Sequence, residues 1–247
     1  MRNRKIIFSI KGFTLVELTI VLVIVALLIG GMLVPLSAQR DLQSANQTAK
    51  QLSDTREALL GFAVTNKRLP RPAVSATDGT ERAVCVTEAD CTGFIPWQVL
   101  GVPPTDAWGK LVRYSVSPSF SNGVVSLATV ATKKIQSRDN LGAVVYIFGQ
   151  TAPCNATSQP CAPAVVFSHG KSHYGTTADG TVLGGGTASS VDETSNDTGS
   201  TGATAGTLYM TRTPTDNTAI SGGEFDDLVI WISPNILFNR LIAAGQL

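Results

Sequence analysis

Lys11-Gly12-Phe13-Thr14-Leu15-Val16-Glu17 decides the fold. It joins a short basic leader to a long apolar run, and the run carries one acid. From residue 13 to residue 36 the only charged side chain is Glu17. A carboxylate at membrane depth costs roughly 2.5–3.5 kcal/mol on insertion scales, which makes it a mark of function. Ahead of the run stand Arg2, Arg4, Lys5 and Lys11; without these four charges the side-chain balance falls from +1 to −3. That asymmetry predicts a leader in the cytoplasm and the remainder across the membrane. As a helix, residues 13–36 extend roughly 36 Å, enough to cross a hydrocarbon core of about 30 Å.

An ordinary secretory signal has a shorter apolar core with its cut site after it. Here the Gly12-Phe13 junction lies before the run, and a plain signal-anchor explains neither the junction nor Glu17. The segment resembles the type IV prepilin signal, shared by type IV pilins and the pseudopilins of type II secretion. The resemblance implies cleavage after Gly12 by a prepilin peptidase, N-methylation of Phe13, and a role for Glu17 in assembly. It further implies other pilins or pseudopilins, an inner-membrane assembly platform and membrane lipid as partners. The new amine of Phe13 would lie one helical turn from Glu17, and pairing the two ions offsets much of their cost in an apolar medium.

Beyond the run the pattern stays helical. Leu42, Ala45, Ala49, Leu52, Leu59 and Phe62 recur at the spacing of one apolar face. Leu69-Pro70-Arg71-Pro72 ends it, since each proline disfavours helix at the residue before it. Pro35 removes a backbone donor and predicts a kink. The resulting division is a cleaved leader over 1–12, a transmembrane and filament-core helix over 13–36, its amphipathic continuation over 37–68, and a β-rich periplasmic or extracellular head over 69–247.

In the head, residues 111–116, 124–129, 143–148, 164–168, 207–212 and 227–232 read as strands, rich in Val, Ile, Tyr and Phe and bounded by turn residues. Pro103-Pro104-Thr105-Asp106-Ala107-Trp108-Gly109 resembles the proline–Asp–x–Trp–Gly turn of secretion pseudopilins. Ser233-Pro234 predicts the start of a last helix, with Ser233 as its cap. Residues 175–206, dominated by Gly, Thr, Ser, Ala and Asp, read as a flexible loop.

The cysteines fall as two close pairs in an oxidising compartment. Two local bridges, Cys85–Cys91 and Cys154–Cys161, are the expected choice among three connectivities. The spacing is longer than the usual zinc C-x₂₋₄-C. Ser168 and His169 suggest a nucleophile–base pair, without an acid nearby in sequence or a G-x-S-x-G elbow. The acid runs Asp192, Glu193, Asp197 and Glu224, Asp226, Asp227 are expected to form a solvated acidic surface, with calcium as the alternative; neither matches an EF-hand loop. No basic, aromatic-interleaved patch supports nucleic-acid binding.

The fold expected is therefore α+β and pilin-like: a long N-terminal α-helix packed against a mainly antiparallel β-sheet head. No cofactor and no catalytic residue is assigned. The function expected is that of a minor pilin or minor pseudopilin, non-enzymatic, anchored once in the inner membrane with its head in the periplasm and then taken into a filament. The alternatives are a filament-borne adhesin and a membrane-anchored periplasmic hydrolase.

Overall fold

A computed structural model describes residues 12–157, 160–185, 190–198 and 206–247; the side chains of 30–36, 38 and 198 lie outside it. The chain divides into two units, Met1–Gln43 and Ser44–Leu247. Helix α1, Leu15–Asn66, contributes to both. It starts at Thr14, whose hydroxyl accepts a hydrogen bond from the Glu17 N–H at 3.2 Å while Glu17 accepts from the Thr14 N–H at 2.8 Å. This is a capping box, with two otherwise orphaned donors satisfied reciprocally. It ends where Lys67 turns to φ 57° and donates its N–H to Ala63 O at 2.8 Å. A left-handed residue at that place closes a helix.

In the first unit the large apolar side chains from Phe13 to Ile29 stand 43–87 % exposed. Among the described residues no helix is long and apolar enough to cross a membrane. Of the span expected over 13–36, the side chains of 30–36 lie outside the described residues. The leader over 1–11 lies outside the described residues. So does the side chain of Pro35, although the backbone there is helical.

In the second unit α1 buries Thr48, Leu52, Thr55, Leu59 and Ala63. This face departs from the expected one: Leu42 and Ala49 are exposed. Two threonines take part because their hydroxyls are satisfied. Thr55 Oγ1 donates to Gln51 O at 2.8 Å, and Thr48 Oγ1 accepts from the Ala107 N–H at 3.1 Å.

The first sheet has the order β1-β2-β5-β7 and is antiparallel throughout, from β1 Thr92–Phe94, β2 Arg113–Val116, β5 Ala164–Ser168 and β7 Leu228–Ile232. The second has the order β4-β3-β6, from β3 Lys134–Arg138, β4 Val144–Phe148 and β6 Leu208–Met210. Its β3–β4 pair is antiparallel and its β3–β6 pair parallel. Strand β5 is buried along its whole length, which accounts for its apolar run from Ala164 to Phe167. Ala164 and Val166 join Leu52, Leu59 and Tyr114 in one core. Val165 and Phe167 join Ile135, Tyr209 and Val229 in another. The central strand thus carries a helix-side core on one face and a sheet-side core on the other.

Short helices α2, Trp97–Leu100, and α3, Pro118–Ser121, link the strands, and α5, Pro234–Ala243, ends the chain. Ser233 occupies the N-cap of α5, but its side chain makes no capping hydrogen bond. The expected strand over 124–129 is instead a turn. Ser126 and Thr129 bond each other there, and the Val125 N–H donates to Lys67 O at 2.8 Å. Closing the end of α1 takes the place of a ladder. The stretch 175–206, expected to be a loop, contains an eight-residue helix, α4, Val191–Thr198. Residues 186–189 and 199–205 of that stretch lie outside the described residues.

Candidate functional site

Two regions carry the chemistry-bearing residues. At the N-terminus, Gly12 and Phe13 lie just ahead of α1 and Glu17 lies in its first turn. Phe13 is 87 % exposed. The Thr14 hydroxyl also donates to Glu17 Oε2 at 2.8 Å, so a single carboxylate oxygen takes both the hydroxyl and the amide proton. The S/T-x-x-E spacing of this box was present in the sequence and signals a helix start independently of any assembly role.

In the head, the Asp106 turn ties α1 to the sheet. Asp106 is buried and accepts from the N–H groups of Trp108 and Lys110, both at 2.9 Å, and from Ser168 Oγ at 2.6 Å. Gln51 of α1 donates to Thr105 O at 2.6 Å just before the turn. The hydroxyl proton of Ser168 is thereby committed to Asp106, and the oxygen accepts from the Gly170 N–H at 3.0 Å. His169 faces elsewhere: Nδ1 lies 3.5 Å from Asp227 and Nε2 3.6 Å from Asp197. Ser168 and His169 are therefore not arranged as nucleophile and base, and both are buried.

Of the two acid runs expected to form a solvated surface, three members lie in the interior instead, while Asp197, Glu224 and Asp226 are partly exposed. Asp192, Glu193 and Asp227 are 2 %, 1 % and 4 % exposed. The reason is α4, which docks on β6: Asn196 accepts from the Met210 N–H at 2.6 Å and donates to Met210 O at 2.9 Å, completing an otherwise open strand edge. Asp192 receives Arg138 at 2.7 and 2.8 Å and lies 2.8 Å from Arg212. Glu193, Asp226 and Asp227 each offer an oxygen within 4.8 Å of the others. Burial, together with the neighbouring Asp227 and Asp226, pushes the Glu193 carboxyl up to about 8. Burial likewise raises Asp226 and lowers the Lys110 ammonium, which donates to Ser172 O at 2.7 Å. Glu224 lies outside this trio and sits 3.0 Å from His173 instead.

The cysteines are joined as Cys85–Cys91 and Cys154–Cys161. Lys133, which no sequence signal singled out, is fully buried. Its ammonium pairs with Glu88 and donates to Gly206 O at 2.6 Å. Burial lowers it to about 8.

Comparison with known proteins gives one finding. Residues 8–33 match the prokaryotic N-terminal methylation motif. No curated protein and no solved structure matches the chain.

Proposed function

We propose, on the premise that this methylation motif is the signature of the type IV prepilin and pseudopilin family, that the chain is a minor pilin or minor pseudopilin. A prepilin peptidase cuts after Gly12, Phe13 is methylated, and the subunit joins or primes a type IV pilus or a secretion pseudopilus. The helix holds it in the inner membrane with the head in the periplasm until it is taken up. The mechanism is association, with no bond chemistry of its own.

The observation that carries this reading is the run of exposed apolar side chains from Phe13 to Ile29 on α1, interrupted by a single acid. Left in water, that surface costs on the order of 20 kcal/mol. Lipid removes the cost before assembly, and neighbouring helices remove it afterwards. Glu17, unfavourable alone in either apolar setting, is offset by a cation. The amine created at Phe13 by cleavage supplies one, on the same subunit or on the next. Pairing between subunits fixes the axial register. The size of the head, residues 69–247, supports a minor component.

Intact-mass analysis of the membrane-extracted protein tests the reading. The expected species begins at Phe13 and carries one added methyl group. A functional protein that keeps residues 1–12 overturns it.

A further inference from the structure

We infer that the cavity between the 139–142 turn and the 212–221 strap is a binding site for an acidic sugar, a ligand with one carboxylate and several hydroxyls. The cavity measures about 620 Å³, within the range of small-molecule sites. Its walls are the turn that joins β3 to β4 and the strap that leads from β6 towards β7. Arg138 and Arg212 line it, with side chains 17 % and 8 % exposed.

The two guanidiniums share one partner. Arg138 donates to both oxygens of Asp192 and, from Nη1, to Gly142 O at 2.8 Å. Arg212 Nε stands 2.8 Å from the same carboxylate without the alignment of a hydrogen bond, and Nη2 donates to Gly223 O and Glu224 O. Nη1 of Arg212 makes no hydrogen bond to any described residue. The group is nonetheless held in place, with Cζ 4.9 Å from the centre of the Phe225 ring. Two cations thus answer to one anion, and one of them is fixed with donors unspent. A guanidinium fork matches a planar carboxylate better than any other side chain does.

The rest of the lining suits hydroxyls. Asp139 pairs with neither arginine; its Oδ1 accepts from the Leu141 and Ala143 N–H groups, both at 2.9 Å, which stiffens the turn. Its Oδ2, and the side chains of Asn140, Thr213 and Ser221, make no hydrogen bond among the described residues. An acid on the wall disfavours a doubly charged phosphate, and a wholly apolar ligand would strand these polar groups. Leu141 and Ile220 line the same cavity 92 % and 42 % exposed, and the C–H face of a sugar ring would cover them. The walls are already in place: a Cβ on Gly142, at φ 83°, would stand 2.5 Å from Ser221 Oγ, so turn and strap meet without a ligand. Binding does not have to order them, which spares its entropic cost. The site belongs to the head and stands independently of the proposed role in a filament.

The test is calorimetric titration of a glucuronic acid–xylose disaccharide, which carries one carboxylate, into the detergent-solubilised full chain at low salt. Saturable binding of one disaccharide per chain is expected. Its methyl ester, with the charge removed and the other hydroxyls kept, is expected to bind at least tenfold more weakly, and acetate at the same concentration does not compete. Arg212→Gln is expected to abolish binding but also disturbs Asp192, so Leu141→Asp decides. That exposed position tolerates the change with the Tm of the parent, and repulsion at the cavity weakens binding at least tenfold. Leu127→Asp, exposed and outside the cavity, binds as the parent does. Failure of the folded parent to bind, equal binding of the ester, competition by acetate, parent-like binding by Leu141→Asp, or an equal loss in Leu127→Asp overturns the assignment.

Discussion

Thr14 and Glu17 hold each other in a closed ring at the start of α1: two protons from Thr14 reach Glu17 Oε2, and the Glu17 N–H returns to the Thr14 hydroxyl. The carboxylate proposed to set register is therefore already fixed in direction before any neighbouring subunit arrives. Capping and charge pairing are separable roles of one side chain.

Substitution at the two positions separates them. Glu17→Gln keeps an acceptor for the cap and discards the charge; Glu17→Leu discards both. If charge sets the register, the two variants are inserted and cleaved normally, and each enters sheared filaments at least tenfold less than the parent. Thr14→Val removes the cap, which is worth about 1 kcal/mol, and still enters filaments. Quantifying processed subunit in the filament fraction decides this. Normal incorporation of Glu17→Gln would remove the charge from the mechanism.

Asp106 is the most heavily used acid of the head turn, with three donors converging on it. Asp106→Ala leaves all three donors, two of them buried, without their acceptor, and a loss of about 3 kcal/mol is expected. Asp106→Asn keeps one carbonyl oxygen and loses less. Denaturant unfolding of the full chain in detergent measures the difference. An Asp106→Ala variant as stable as the parent would show that the turn does not organise the contact with α1.

Lys133 gives the head a pH dependence of known sign. Burial lowers its ammonium from 10.5 to about 8 in the fold. Between those two values the unfolded chain binds more protons than the native one, so stability rises with pH. Below about 8 both states are protonated and the slope vanishes. The rise is worth about 2 kcal/mol between pH 8 and 10. Lys110 is lowered in the same direction, and the buried Tyr114 hydroxyl, raised by burial, acts oppositely at higher pH. The measurement is therefore the parent minus Lys133→Met across that window, by unfolding at a series of pH values. Parallel curves for the two proteins would contradict the assignment.

Gly222 tests the docking of α4. Its φ is 86°, and a Cβ there would lie 2.0 Å from Asp192 Oδ2 and 2.4 Å from Arg138 Nε. Gly222→Ala is expected to push Asp192 off both arginines and to speed proteolytic cleavage at α4 severalfold, with the rest of the head intact. Unchanged cleavage would show that these ion pairs do not hold the helix.

Much of the molecule was legible in the order of its residues. The apolar run with its single acid announced the N-terminal segment. Residues 164–168 announced the interior strand β5, because a strand buried between two cores reads almost wholly apolar, and 227–232 announced its neighbour β7. Asp106, Trp108 and Gly109 announced their turn. Strand β3 was not legible: in Lys134-Ile135-Gln136-Ser137-Arg138 only Ile135 is buried, and its neighbours on either side confer the strand. Val124 and Val125 carried a strand-like composition with no partner edge to pair with.

By itself the sequence determined what can be settled within a few residues: the Gly12-Phe13 junction, the acid one turn later, the length of the helix and its proline-marked end. Only the tertiary structure decided what depends on residues distant along the chain. Glycine- and serine-rich surroundings made α4 look like loop, and its acids look solvated. Asn196 completing the open edge of β6, and the arginines that Asp192 engages, place those acids inside instead. Burial is a property of what packs against a residue, and no local pattern in 191–198 encodes the partners that 138, 210, 212 and 227 provide.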